Sequence, residues 1–274
     1  MPLTAFLLAL AAAVVHASWN LLTARAEQSH AATAVALCVG ALVFAPLAAA
    51  TWEVDAAVIP YLIASVALEL AYFALLAAAY QRGPLSLVYP IARGAAPVLV
   101  AAIGALALGA SLSAPQVLGI VVVAGGVVLV RGFDRSARTQ DVLLALATAA
   151  MIAGYTLVDK EGLEHAAPLP YLELVIAPTA LIYLLAATRI AGRDAVRRAF
   201  GPQAALAGIG MFGAYGLTLA ALERADAAPV AAVRESSIVI AALLAAVLMH
   251  ERVGLVRACG SAVVFAGLVL IAAG

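Results

Sequence analysis

Charge is what this sequence has least of. Only 11% of its 274 residues are charged and 66% are hydrophobic, whereas a soluble domain has about 25% charged and about 45–50% apolar residues. A water-soluble fold has no interior large enough to bury so many apolar side chains. The shortage of charge therefore excludes a soluble domain and indicates a protein whose solvent is lipid.

Neither sign of charge is in excess, and cysteine is scarce. Fifteen basic and fifteen acidic residues give zero net charge, which argues against a nucleic-acid partner and against a polybasic lipid anchor. The two cysteines, Cys38 and Cys259, lie in separate apolar segments without the spacing of a metal site. We interpret both as small buried hydrophobic residues.

Catalytic motifs are also missing. The sequence has no Walker loop, no Gly-x-Ser-x-Gly elbow and no pair of aspartates suited to intramembrane proteolysis. His250-Glu251 lacks the second histidine of a zinc-binding helix. We therefore expect no enzyme activity, no metal, no cofactor and no ATP hydrolysis.

Long apolar runs are what the sequence does contain. Each can cross a hydrocarbon layer roughly 30 Å thick as a helix, whereas barrel strands would be about ten residues of alternating polarity. The first run is expected to be a membrane span and not a cleaved signal, because no basic segment precedes it. The sequence predicts an all-α membrane protein with ten transmembrane helices, at 3–23, 31–50, 58–80, 84–108, 114–131, 141–159, 169–189, 203–222, 227–249 and 254–273.

The two halves of the chain resemble each other. Ile91-Ala92-Arg93 matches Ala232-Val233-Arg234 at an offset of 141, and the same offset aligns Gly119 with Gly260 and Gly126 with Gly267. Five spans per half would insert the second half in the opposite direction. We predict two inverted five-helix repeats around a central cavity, residues 1–131 and 141–274, joined by a cytoplasmic linker at 132–140.

Arginine is distributed unevenly between the two sides of this topology. Eleven arginines follow odd-numbered spans, whereas the even-numbered loops carry only Lys160 and Arg224. The positive-inside rule then places the odd-numbered loops in the cytoplasm and both termini outside. The even-numbered loops are also assigned seven acids: Glu53, Asp55, Asp159, Glu161, Glu164, Glu223 and Asp226.

Arg93 and Arg234 are the basic residues that lie well inside predicted spans. An arginine at mid-membrane costs at least ~2.5 kcal/mol, so it should face a cavity or a partner. We predict that both bind substrate, and the alternative is that each only anchors its helix to backbone carbonyls or to a carboxylate.

Three acids are embedded with them: Glu69, Glu173 and Glu235. Adjacent residues on a helix point about 100° apart, so we expect other helices, and not Glu235, to supply the partner of Arg234. Glu69 is the better candidate for substrate contact, whereas Glu173 follows Pro170 closely and could equally sit at the water boundary.

Aromatic and polar residues complete the predicted site. His16, Trp19 and Asn20 share one face of the first helix, where Trp19 offers a flat surface and His16 is either a proton-handling group or a satisfied buried histidine. Further wall candidates, or else interface anchors, are Tyr72, Tyr89 and Tyr155. Pro90 and Pro97 kink the fourth span near Arg93, as gating elements or as ordinary packing kinks.

Several of these segments resemble the drug/metabolite transporter superfamily, specifically the ten-helix EamA-type exporters. The resemblance rests on His16 to Asn20, on Gly83 to Pro90, and on Arg234 to Ser237 continuing to Glu251-Arg252. It implies two inverted halves around a cavity and export of amino acids or related metabolites without ATP. This chain departs from the family pattern in two ways. The Glu-Arg pair has no counterpart in the first half, which reads Ala110-Ser111 at the matching position. Many family members are assigned cytoplasmic termini, whereas the arginine distribution here places both termini outside.

The sequence thus predicts an exporter of zwitterionic amino acids or similar metabolites in the cell inner membrane. Arg93 and Arg234 would attract the carboxylate, Glu69 would balance the ammonium, and the aromatic residues would bound the side-chain pocket. The expected partners are a small-molecule substrate and the bilayer, and a monomer is plausible. Two alternatives stay open: a multidrug or nucleotide-precursor carrier, and a non-transporting receptor or scaffold.

Overall fold

The computed structural model describes residues 1–23, 29–82, 85–107, 109, 111–131, 139–237, 240 and 255–273. A short 3-10 turn, Ala56–Val58, is capped by Asp55, which accepts a hydrogen bond from the Ala57 amide at 2.8 Å. The α-helices are α1 (Leu3–Thr23), α2 (Ser29–Ala50), α3 (Ile59–Arg82), α4 (Leu85–Ala107), α5 (Ala114–Arg131), α6 (Thr139–Gly162), α7 (Pro168–Ile190), α8 (Arg193–Ala199), α9 (Pro202–Leu222), α10 (Ala227–Arg234) and α11 (Leu255–Ala273).

The predicted all-α membrane architecture is confirmed. Helices α1 and α5 have the bounds that the apolar runs predict, and the other long helices agree within a few residues. Within the described ranges, five helical segments are long and apolar enough to cross a bilayer, and shorter apolar helices lie within α1, α4, α5 and α11. The protein is therefore a multi-pass membrane protein.

The sequence predicts the ninth span as one continuous helix, but in the structure the helix is interrupted after Arg234. Helix α10 ends at Arg234, and a turn at Glu235 and Ser236 follows it. The Ser236 amide donates to the Val233 carbonyl at 3.1 Å, and helical hydrogen bonding resumes where the Ile240 amide donates to the Ser236 carbonyl at 3.2 Å. The rest of the predicted span, 238–239 and 241–249, lies outside the described residues. Interrupted helices at membrane depth are tolerated where the backbone lines a cavity.

A short helix lies where the sequence predicts a loop, between 190 and 202. Helix α8 buries Ala195 and Val196 and exposes Arg197 and Arg198. Gly192, which precedes it, has a φ of 87°, a conformation that favours glycine. The apolar runs do not reveal this helix, because it is too short and too charged to span the membrane.

Packing crosses between the two halves of the chain. Helix α1 lies against α9 and α3 lies against α6, so the first and third spans of each half contact the third and first spans of the other. Helix α2 contacts α7, and α5 contacts α11. These pairings are the ones expected of two halves related by a pseudo-two-fold axis.

At one face of the bundle, the segment between α2 and α3 pairs with the segment between α6 and α7. Val54 and Ala166 form an antiparallel bridge, in which the Asp55 amide donates to the His165 carbonyl and the Ala167 amide to the Glu53 carbonyl, both at 2.8 Å. Nearby, Lys160 Nζ donates to the Leu222 carbonyl at 2.7 Å. This face corresponds to the even-numbered loops of the predicted topology.

Helices α5 and α11 approach so closely that glycine is required at their contact. A Cβ added at Gly126 would lie 2.7 Å from the Val264 backbone nitrogen, whereas one added at neighbouring Gly125 meets nothing within 4 Å. Lipid provides no hydrophobic drive for helix association, so such contacts depend on small residues. Three of the repeated glycines, Gly119, Gly126 and Gly267, thus lie in the contact between α5 and α11.

We expect Gly126→Ala to destabilise the protein and Gly125→Ala to leave it unchanged or slightly stabilised. Both replacements gain the same helix propensity, but only the first forces backbone apart, at a cost of about 1–3 kcal/mol. Thermal unfolding of both variants in detergent, followed by circular dichroism, measures the difference. Equal melting temperatures would contradict the close contact between α5 and α11.

Candidate binding cavity

A central cavity lies between the helices of both halves. The empty space within it, including the open space at its mouth, is about 680 Å³. In the part of the chain that the structure describes, three charged side chains line it: Glu69 of α3, Arg93 of α4 and Arg234 of α10. The other lining residues are His16, Trp19, Leu37, Gly40, Tyr72, Phe73, Tyr155, Ile176, Gly208, Met211, Phe212, Ala214, Tyr215 and Thr218.

Two arginines share one buried carboxylate on the basic side of the cavity. Arg93 Nε lies 2.9 Å from Glu235 Oε2, and Arg234 donates to Glu235 Oε1 through Nε at 3.2 Å and Nη2 at 3.1 Å. Arg93 and Arg234 are 4% and 5% exposed, and Glu235 is fully buried. Two guanidinium groups against one carboxylate leave one positive charge in excess, and this excess faces the cavity.

His16 extends this basic cluster. Arg93 Nη2 lies 2.6 Å from His16 Nε2, and because arginine can only donate, Nε2 must accept and therefore carries no proton. The neutral imidazole then has its proton on Nδ1. His16 also contacts Trp19 edge to face, with ring centroids 4.9 Å apart.

The pairing of Arg234 with Glu235 corrects one expectation from the sequence. A regular helix would point these neighbours about 100° apart, but α10 ends at Arg234 and the following turn brings the two side chains together. Another helix does contribute to this cluster, because Arg93 of α4 also pairs with Glu235. The break in the helix is what allows one carboxylate to serve two arginines.

Aromatic rings form much of the remaining wall. The rings of Tyr72 and Tyr155 lie 6.0 Å apart edge to face, and those of Tyr155 and Tyr215 also lie 6.0 Å apart. Phe212 stacks on Phe44 with centroids 4.6 Å apart. The wall is therefore apolar over most of its area, and its few polar atoms include the tyrosine hydroxyl groups.

Behind Tyr215 lies a buried carboxylate, Asp159 of α6. Its Oδ1 accepts hydrogen bonds from Ser65 Oγ at 2.6 Å and Tyr171 Oη at 2.9 Å, and its Oδ2 accepts one from Tyr215 Oη at 2.5 Å. Asp159 is fully buried, and none of the ion pairs found among the described residues involves it. Hydroxyl groups from α3, α7 and α9 thus hold this carboxylate.

Most of the residues predicted from the sequence meet at this cavity. His16, Trp19, Glu69, Tyr72, Arg93, Tyr155 and Arg234 line it, and Glu235 lies directly behind the arginines. Pro97 is buried in α4 and Glu173 is half-buried in α7, and neither is part of the lining found in the described chain. The side chains of Asn20, Tyr89 and Pro90 lie outside the described residues.

The Asp159 cluster was not predicted from the sequence. Asp159 is the last residue of the predicted span 141–159 and was also counted among the loop acids. The loop assignment is wrong, because α6 continues to Gly162 and buries this residue in its last turns. Tyr215 and Thr218 were not predicted either, because they lie in a continuous apolar run. One signal was available: Asp159 follows Tyr155 by four residues and therefore shares its helix face.

Comparisons with known proteins agree with this architecture. The model of a family described as the EamA-like transporter family matches residues 3–132 and 140–273. A solved crystal structure has the same fold, with a TM-score of 0.69 and 16% sequence identity, over 97% of this chain and 94% of the other. No curated protein matches the chain.

Proposed function

Because the chain belongs to the EamA-like transporter family and is therefore a membrane transporter and not an enzyme, we propose that it exports zwitterionic amino acids or related small metabolites. The observation that carries this proposal is the presence of both signs of charge in the lining of one cavity. An arginine pair with one excess positive charge and the Glu69 carboxyl both line the same space. A molecule with a carboxylate and an ammonium group fits this arrangement.

The arginine pair supplies the carboxylate subsite. Its excess charge is held in a region from which water is largely excluded, where an anion is attracted more strongly than in water. Arginine presents a planar set of donors that matches a carboxylate. Glu235 keeps the two guanidinium groups together, because without it they would repel each other.

Glu69 supplies the ammonium subsite. It is 4% exposed and lies on α3, whereas the arginines come from α4 and α10. An ammonium group near Glu69 would balance a carboxyl group that has no ion pair among the described contacts. The rings of Trp19, Tyr72 and Tyr155 then bound the space for an apolar side chain.

Transport would follow from alternating access without ATP. Two inverted halves that pack across a pseudo-two-fold axis can rock around a fixed central site. The arginine distribution favours a cell inner membrane orientation with both termini outside, and the face bridged by Val54 and Ala166 would then be the outer face. In this structure the two segments at that face are joined by this bridge.

Counterflow in proteoliposomes tests the proposed substrate with three matched compounds: phenylalanine, phenylpropionate without the ammonium, and phenethylamine without the carboxylate. We expect phenylalanine to exchange fastest, because only it satisfies both subsites. Faster exchange of phosphorylated compounds would favour the nucleotide-precursor carrier. Absence of exchange for every labelled solute would favour a receptor or scaffold and contradict the proposal.

Glu69→Gln should remove the preference for the ammonium group. A hydrogen bond to a charged group contributes about 1.5–3 kcal/mol, so the affinity for phenylalanine should fall at least about tenfold. The affinity for phenylpropionate should change little. Competition of both compounds against labelled substrate measures this, and Glu173→Gln, which removes a membrane carboxyl outside the cavity lining, is the matched control. An unchanged preference in Glu69→Gln would contradict the ammonium subsite.

A further inference from the structure

Glu69 and Asp159 are two buried carboxyl groups, one in the cavity lining and one behind it. Tyr215 Oη donates to Asp159 Oδ2 at 2.5 Å, and the same tyrosine lines the cavity together with Glu69. Glu69 and Tyr215 line the cavity, whereas Asp159 lies behind it. Tyr215 is thus a link between the cavity and a buried acid.

The charges around the cavity require a proton on this pair. Arg93 and Arg234 supply two positive charges, and Glu235, Glu69 and Asp159 would supply three negative charges if all were ionised. An uncompensated charge in such an interior is costly. One proton makes the cluster neutral, and because Asp159 already accepts three hydroxyl bonds, the proton belongs on Glu69.

We propose that Asp159, Tyr215 and Glu69 form a proton pathway that couples substrate export to proton entry. This proposal rests on the function proposed above, because it assumes that the ammonium group of the substrate binds Glu69. In the pathway, the ammonium group and a proton compete for Glu69. The position of Asp159 supports the proposal. This residue lies near the end of α6 that leads to the bridged face, three residues before Gly162, so opening of that face would bring water towards it.

The proton transfer balances without any further reactant. With the outer face open, Asp159 takes a proton from water. That proton passes from Asp159 Oδ2 to Tyr215 Oη as the phenolic proton passes to Glu69. The products are an Asp159 carboxylate, an intact tyrosine and a neutral Glu69, which no longer holds the substrate ammonium. When the cavity opens to the cytoplasm, a new ammonium group displaces the proton from Glu69.

The groups around Asp159 are consistent with this route. Tyr171 of α7 and Tyr215 of α9 donate to Asp159. Glu69 of α3 and Arg234 of α10 line the cavity together with Tyr215. On α4, Arg93 is engaged by His16 and Glu235. On α6 itself, Lys160 points away to the Leu222 carbonyl, and Tyr155 faces the cavity.

Proton-driven accumulation in proteoliposomes is the main test. The full chain is reconstituted with the membrane potential clamped at zero, an acidic lumen, and a labelled amino acid that the counterflow assay has identified. One proton per substrate gives about tenfold accumulation for a gradient of about one pH unit. We expect Asp159→Asn to lose this accumulation, and a variant that still accumulates tenfold would overturn the proposal.

A matched pair of tyrosine variants tests the route. Tyr171→Phe and Tyr215→Phe each remove one hydroxyl from Asp159, but of the two only Tyr215 also lines the cavity together with Glu69. We expect accumulation to be lost in Tyr215→Phe and retained in Tyr171→Phe. Equal behaviour of the two variants would overturn the pathway through Tyr215.

Infrared spectroscopy separates failure of this inference from failure of the proposed function. The substrate-free wild type in detergent should show the C=O band of a protonated carboxyl group at neutral pH. Asp159→Asn should lose it, because the remaining cluster is neutral without the proton. If the wild type lacks this band, the proton pathway is overturned even if transport occurs. If the band persists in Asp159→Asn, the proton pathway is also overturned. Absence of counterflow in the wild type overturns the transport proposal instead.

Discussion

Arg234→Gln should weaken the binding of a carboxylate substrate at least about thirtyfold, and Arg93→Gln should have a similar effect. Each change leaves one arginine against Glu235, so the cluster loses the excess positive charge that faces the cavity. Removing one partner from a buried, hydrogen-bonded charge pair costs at least about 2 kcal/mol, which corresponds to about thirtyfold in affinity. Calorimetric titration in detergent and counterflow in liposomes measure the loss.

Two further variants separate this electrostatic effect from general damage. Arg224→Gln removes an exposed arginine that pairs with Glu223 outside the cavity, and it should bind substrate normally. The double variant Arg234→Gln with Glu235→Gln restores the excess positive charge on Arg93, so it should recover part of the affinity. Wild-type affinity in both single variants, with normal folding, would contradict the carboxylate subsite.

The spans were predictable because the bilayer imposes their length. A helix that crosses lipid needs about twenty apolar residues, and this requirement fixes α1 and α5 almost to the residue. The break after Arg234 was not predictable, because hydropathy averages a charged pair with its apolar neighbours. What stabilises the break is a contact with Arg93, which lies far away in the sequence.

The same reasoning explains which residues of the candidate site were found. Arg93, Arg234 and Glu69 stand out because a charge inside lipid is costly and must have a partner. Asp159 is equally buried, but it follows an apolar run and precedes Lys160 and Glu161, so it resembles the first residue of a loop. Its hydroxyl donors come from three different helices, and only the tertiary structure brings them together.

A disulfide between Val54→Cys and Ala166→Cys should abolish transport until it is reduced. The hydrogen bonds that flank this bridge identify a non-hydrogen-bonded antiparallel pair, for which the Cα atoms are about 4.5 Å apart. A disulfide accepts Cα separations of about 4.4–6.8 Å. The native Cys38 and Cys259 are replaced first, so that no other thiol competes.

Reversible loss is expected because alternating access requires this face to open. The cross-link joins the segment before α3 to the segment before α7, which belong to different halves of the chain. The cavity lining is untouched, so the oxidised protein should still bind substrate, although it can no longer exchange it across the bilayer. Counterflow before and after addition of a reductant measures this, and Val54→Cys alone controls for the oxidant. Full exchange by the completely cross-linked protein would show that substrate does not leave through this face.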